Sequence, residues 1–348
     1  LPVPLPDVLT AGQAREILSD PRSVEELGQP ASPALLVVDL RAGPESHQPP
    51  VLAAVPCVTV ALVDPETVED GRSAFDVLLC EAAGPAPSGI VGVPDLAVTL
   101  TELADAVAAQ PVASRVLVQV LRATAGLSVA DALVVESLAY STLQAGPHFA
   151  SWRAARPGRR PRPHEGPAAT VRRDGSRLEI ELNRPEVHNA FSAAMRDAVV
   201  EALELAALDE SVTEVHLRGA GPTFSSGGDL DEFGSLPDPA SAHVVRVARS
   251  AGLLMAGLRA QVVVHAAGSC RGAGAELAAF ADEVLVAPGT SFGLPELGLG
   301  LIPGAGGTVS LPRRIGRHRT AYLALTGRPI EAAAAVQWGL ADAWEPTA

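Results

Sequence analysis

Residues 268–277 read GSCRGAGAEL. The apolar run before them, Val262–Ala266, has the length of a short buried strand, and Ala273–Phe280 has helical spacing. A glycine-rich turn between strand and helix lets backbone approach a ligand closely. The helix it opens leaves amide N–H groups unpaired, a setting for negative charge. Two further stretches have this character: FSSGGDL at residues 224–230 and FGLPELGLGLIPGAGG at residues 292–307. Each alone is common among α/β proteins.

Outward from these turns, strands and helices alternate. Leu178–Asn183 alternates apolar and charged residues as a half-buried strand does. Ser192 stands where an N-cap belongs, and Met195, Val199, Ala202, Leu203 and Ala206 follow at helical spacing. Thr213–Arg218 and Glu283–Ala287 read as strands, and His243–Leu258 reads as one helix. Strands separated by helical crossovers pair in parallel, so the class is α/β. Upstream, Leu35–Leu40, Val55–Val63 and Val77–Cys80 read as buried strands, and residues 96–152 as three short helices punctuated by Pro111 and Gly126. Between the halves, Arg153–Ala168 (RAARPGRRPRPHEGPA) packs five Arg and four Pro into a stretch that neither helix nor central strand tolerates. The predicted organisation is therefore residues 1–152, a linker over 153–168, and residues 169–348.

Composition narrows the chemistry. The 348 residues are 47% hydrophobic and 19% charged, so a packed core is expected rather than disorder. All 26 basic residues are arginine, which removes Schiff-base and P-loop lysine chemistry. A net charge of −14, with residues 1–150 carrying 6 Arg against 18 acids, argues against nucleic-acid binding. Cys57, Cys80 and Cys270 are odd in number and far apart, matching no disulfide framework and no metal-ligand spacing. With no apolar run of membrane-spanning length and a Pro-rich opening, no membrane segment is expected, and a cytoplasmic location is. GTSFG at residues 289–293 satisfies the hydrolase-elbow pattern, but the Leu294–Pro295 that follows does not open a helix.

Taken together and in order, LNRPEVHNAFS (182–192), GPTFSSGGDL, GSCRGAGAELAAFAD, FGLPELGLGLIPGAGGT and GRPIEAAAAVQWGLAD resemble the crotonase (enoyl-CoA hydratase/isomerase) superfamily over about residues 168–346. The resemblance implies a β-β-α superhelix. It implies that the backbone amides of Gly228 and Ala273 form an oxyanion hole for a thioester carbonyl. It makes Glu276 and Glu296 the pair that orients water and moves its proton across an α,β-unsaturated acyl-CoA. Glu186, Val187 and His188, with Ser226 and Asp229, fall on the coenzyme A side, and Asp229 also caps its own loop. The implied partner is an acyl-CoA thioester, with no cofactor beyond the coenzyme A of the substrate and no metal, in a homotrimer or dimer of trimers. Isomerisation, thioester hydrolysis, decarboxylation or a non-catalytic partner role share the scaffold. The family's late phosphate-holding lysine is missing, so either an arginine does that work, with Arg153–Arg162 as candidates, or affinity for the nucleotide is low. Leu236–Leu258 is expected to line the acyl pocket without distinctive polar groups. Residues 94–154 resemble the family's C-terminal helices, which predicts that residues 1–152 are a degenerate crotonase-like unit whose helices cover the active core, in cis or from a neighbouring subunit.

Overall fold

A computed structural model describes residues 7–29, 32, 34–41, 52, 55–66, 74–82, 84, 86–87, 89–156 and 166–345. Most of the predicted linker, residues 157–165, lies outside the described residues.

The chain opens with β1 (Val8–Thr10), α1 (Ala11–Ser19) and α2 (Pro21–Gly28). A reciprocal cap starts α1: the Thr10 hydroxyl accepts from Gln13 N at 3.2 Å while Thr10 N donates to the Gln13 side chain at 2.9 Å. Then come β2 (Leu35–Asp39), β3 (Val58–Leu62), β4 (Val77–Glu81) and β5 (Val91–Val93). With β1 they form a five-stranded sheet in sequential order, every pair parallel. Four helices follow where three are predicted: α3 (Leu96–Ala109), α4 (Pro111–Ala123), α5 (Val129–Gln144) and α6 (Pro147–Ala155). Pro147 separates the last two, because it lacks the N–H that would continue α5 and suits the first position of a new helix. Helix α6 also runs into the segment read as linker, as far as Ala155.

The second half is built in repeated turns. β6 (Ala169–Asp174) pairs antiparallel with β7 (Arg177–Leu182), and α7 (Ala193–Leu208) begins at Ser192, whose hydroxyl accepts from Met195 N at 3.2 Å. β8 (Glu214–Gly219), α8 (Pro239–Ala248) and α9 (Ala251–Gly257) follow, then β9 (Gln261–Ala266), β10 (Ser269–Arg271) and α10 (Ala273–Ala278). β11 (Glu283–Val286) and β12 (Ser291–Gly293) lead through a 3-10 turn at Glu296–Leu299 to α11 (Gly307–Ile315) and α12 (Arg317–Thr326), with β13 (Ile330–Glu331), α13 (Ala332–Trp338) and β14 (Ala343–Trp344) at the end. The main sheet has the order β14-β11-β9-β8-β7-β6 and is parallel except at β6. A small second sheet, β10-β12-β13, is extended by the bridges Ser225–Cys270 and Phe191–Gly228. Each turn thus lays one strand in the main sheet, a short extended piece beside the second, and then a helix. That is the β-β-α superhelix. The fold is mixed α/β with parallel sheets, as expected.

Strand alternation sets the core. Leu178, Ile180, Leu182, Val215, Leu217, Val262, Val264, Val284 and Val286 point inward and are buried. One apolar cluster runs without a break from Val58 and Leu79 through Leu117 and Tyr140 to Ile180 and Val264, so the two halves share a core. Helix α11 packs on α4 and α5, and α12 on α3, α4 and β4. Polar groups fasten the same junction. Buried Asp76 accepts from Thr59 N and Oγ1, both at 2.8 Å, from Arg122 Nε at 2.8 Å and from Arg317 Nη1 at 3.2 Å.

Candidate active site

The three glycine-rich turns meet. A methyl group built on Gly227, whose φ is +96°, would reach 2.9 Å from Arg271 O and 3.7 Å from Gly272 Cα, so only glycine lets the first two turns touch backbone to backbone. Gly272, at φ +45°, faces the third turn: a methyl there would run into Glu296 Oε1. The first turn is held from below by Asn189, which is buried at φ +52°. Its Nδ2 donates to Ala220 O (2.9 Å) and Thr223 O (2.7 Å), and its Oδ1 accepts from Arg184 N (2.9 Å). Its own carbonyl accepts from Ser225 Oγ at 2.8 Å. Asn189→Ala is expected to lower stability by about 1–3 kcal/mol, because it strands the buried Thr223 carbonyl together with the half-buried Ala220 carbonyl and Arg184 amide; a change within 0.5 kcal/mol (about the noise of surface substitutions) in denaturant unfolding would contradict that.

These turns wall a cavity of about 650 Å³. Gly228, Ala273, Glu276, Glu296 and Asp229 all line it, with Ala305 and Gly306 of the third turn. The amides of Gly228 and Ala273 donate to no group among the described residues. Ala273 is the first residue of α10, where an amide has no partner within the helix.

Both predicted glutamates are buried. Glu276 Oε2 accepts from Ala305 N and Gly307 N, each at 2.7 Å. A methyl on Gly307 would come within 2.7 Å of Glu276 Cγ, so the turn is closed down on the carboxylate. Burial first, then the charges of Glu296 and Glu136, push Glu276 well above the usual carboxylate range. Glu296 stands at the head of the 3-10 turn; burial pushes it up to about 8, and its Oε2 has no hydrogen-bond partner.

A third carboxylate, absent from the sequence reading, comes from the first half of the chain. Glu136 of α5 is 1% exposed. Its Oε1 accepts from Gly306 N at 2.7 Å, and its Oε2 accepts from Thr308 N at 2.8 Å and Thr308 Oγ1 at 2.7 Å. Four successive amides of residues 305–308 therefore alternate between Glu276 and Glu136. Glu136 holds the turn that holds Glu276, and burial raises it to about 7. The signal was in the text: Glu136 is the only charged residue between Asp131 and His148.

Helices α5 and α6 line the cavity with Leu133, Ser137, Tyr140, Phe149 and Arg153, so the cover comes from the same chain. Phe149 stacks on Trp152 (5.7 Å between centroids), which meets Phe233 at 6.4 Å. The expectation of a wall without distinctive polar groups over Leu236–Leu258 is corrected: Arg246 and Arg249 of that stretch line the cavity, and the stretch is two helices broken at Arg249–Ser250. Ser250 caps the second, its hydroxyl accepting from Leu253 N at 3.2 Å.

Four predicted coenzyme A contacts do not line this cavity. Glu186 and His188 are exposed, and Val187 is half-buried. Exposed Ser226 joins them, its amide donating to His188 O at 2.9 Å. Asp229 accepts from Arg184 Nη1 at 2.9 Å and from Asp231 N at 3.2 Å, which fixes its loop.

Glu296 bears on stability. Its native pKa lies near 8 against an ordinary 4.5, so between those values the folded chain binds more protons than the unfolded chain. Wild-type stability from this group then falls as pH rises. Glu296→Gln is expected to gain stability relative to wild type between about pH 5 and about pH 9 in urea unfolding. A difference constant across that range would contradict this.

With that geometry in view, residues 172–348 match the family model described as enoyl-CoA hydratase/isomerase. The chain belongs to that family. A probable enoyl-CoA hydratase of Mycobacterium leprae is 36% identical over 163 residues, 46% of this chain and 62% of that protein. The chain therefore spans less than two thirds of that relative. A trans-2-decenoyl-[acyl-carrier-protein] isomerase of Streptococcus mutans is 32% identical over 48% of this chain and 65% of its own. The crystal structure of an enoyl-CoA hydratase from Thermoplasma volcanium aligns with 52% of this chain and 73% of that chain, at 31% identity and a TM-score of 0.49. In this family member the match begins downstream of α5 and α6, the two helices of the first half that line the cavity.

Proposed function

We propose that the chain adds water across the double bond of an α,β-unsaturated acyl-CoA thioester. The observation that carries the reading is the meeting of Glu276 and Glu296 in one cavity beside the free amides of Gly228 and Ala273. The thioester carbonyl accepts from those two amides, which stabilise the enolate oxygen as negative charge grows on it, a contribution of about 3 kcal/mol per donor in comparable sites. The glutamates titrate as a unit, and burial keeps proton on the pair near neutral pH. One carboxylate takes a proton from water as its oxygen bonds to Cβ. The other carboxyl gives a proton to Cα, and the pair ends with the same number of protons. The unpartnered Glu296 Oε2 is an acceptor open to that water.

Residues 1–152 serve, in this reading, as a degenerate crotonase-like unit. Sequential parallel strands followed by α3–α6 support it, as does the cover that α5 and α6 provide. Incubation with trans-2-enoyl-CoA thioesters should give a product heavier by about 18 Da. Double-bond migration without mass gain would favour isomerisation instead.

A further inference from the structure

Arg246 sits in the cavity wall on α8, three residues after His243, and both side chains face α5. Its Nη1 donates to Ser137 Oγ (2.8 Å), Ser137 O (3.3 Å) and Ser141 Oγ (3.2 Å), and its Nη2 donates to Gln144 Oε1 (3.2 Å). The guanidinium carbon lies 4.4 Å from the centre of the Tyr140 ring. Every acceptor is neutral. Among the described residues Arg246 has no carboxylate within ion-pair distance, and its Nε–H donates to nothing. Arg249 and Arg196 of the same wall differ: Arg249 reaches Asp197 (3.2 Å), Glu201 (3.5 Å) and Glu204 (3.7 Å), and Arg196 reaches Asp197 (2.9 Å). Arg153 of α6 also lines the cavity without a carboxylate at ion-pair distance among the described residues, but it lacks the neutral acceptors of α5 that fix Arg246.

A cation drawn out of water is ordinarily paired. The carboxylates whose charge reaches Arg246 are Glu136 and Glu276, and both are engaged by the amides of residues 305–308. The serines and glutamine of α5 instead fix the guanidinium through its far edge. The edge carrying Nε–H and the second Nη2–H is left, and that edge matches the two oxygens of a carboxylate. A wall built only for an alkyl chain gains nothing from such a group.

We propose that Arg246 receives a carboxylate at the far end of the acyl chain, so that the substrates are enoyl thioesters of dicarboxylic acids. The inference rests on the hydratase reading and names its substrate class.

The test uses the full chain and matched trans-2-enoyl-CoA thioesters ending in methyl, carboxamide or carboxylate, over a range of chain lengths. At the length that spans the cavity, kcat/KM for the carboxylate should exceed that for the methyl and carboxamide forms by at least about tenfold. Arg246→Met should collapse that ratio towards one, and Arg246→Lys should keep part of it. A ratio does not depend on the fraction of folded enzyme, so partial misfolding of a variant does not mimic the result. Hydration with methyl or carboxamide chains as fast as with carboxylate at every length would overturn the proposal and leave the hydratase reading standing. A carboxylate preference that survives Arg246→Met would overturn it too. Hydration of none of the three would instead remove the hydratase reading beneath it.

Discussion

Glu276→Gln is expected to lower kcat for enoyl-CoA hydration by about 10²–10⁴-fold, the range of a lost acid–base group, while the fold survives. The side chains are nearly isosteric. The glutamine oxygen can keep the bonds from Ala305 N and Gly307 N now made by Oε2 at 2.7 Å, so the third turn stays closed. What disappears is the ability to take or give a proton. Glu296→Gln should fall in the same range, because hydration needs one group to take a proton from water and the other to give one to Cα. The double variant should then be little worse than either alone, as residues acting as a unit are not additive. Loss of enoyl-CoA absorbance checks all three. Either single variant keeping more than about a tenth of wild-type kcat would sink the two-glutamate assignment.

The second large effect belongs to Glu136, a residue outside the matched family segment. Glu136→Ala removes the acceptor for Gly306 N, Thr308 N and Thr308 Oγ1, all buried. Leaving those three donors without a partner is expected to lower stability by about 3–5 kcal/mol, since each stranded buried donor costs about 1–3 kcal/mol. The turn over residues 305–308 would also lose half its anchors, and kcat should drop by about 100-fold as Glu276 loses its fixed position. A pH readout separates this from simple damage. Glu136 is one of the charges that push Glu276 upward, so removing it should move the limb of the kcat profile set by Glu276 to lower pH. Glu136→Gln should show the same shift with a smaller loss of stability. An unchanged profile and kcat in either variant would make α5 a passive cover.

The pattern that located Glu276 and Glu296 is local. Each lies in a glycine-rich stretch whose spacing is visible in the sequence, and the strand before the first of them, Val262–Ala266, is a short apolar run because it is buried. Glu136 and Arg246 lie in no glycine-rich stretch, and the lone charge of Glu136 in an apolar run marks a buried carboxylate without saying what it faces. One sits in an apolar helix of the first half, the other in a helix whose polar face turns inward against α5 rather than out to solvent. Only the shared core of the two halves gives either residue its neighbours. The missed break at Ser250 and the extra helix at Pro147 are different: both carried an N-terminal signal that the apolar periodicity around them masked.

The central claim is that helices of the first half and glycine-rich turns of the second make one hydration site. The most direct measurement is mass analysis of a trans-2-enoyl-CoA panel, acidic chains included, after incubation with the full chain and with Glu136→Gln and Glu276→Gln. The account predicts a gain of about 18 Da with the wild type, a slowed gain with Glu136→Gln and almost none with Glu276→Gln. No mass gain with the wild type on any member, or equal rates in all three proteins, would contradict it.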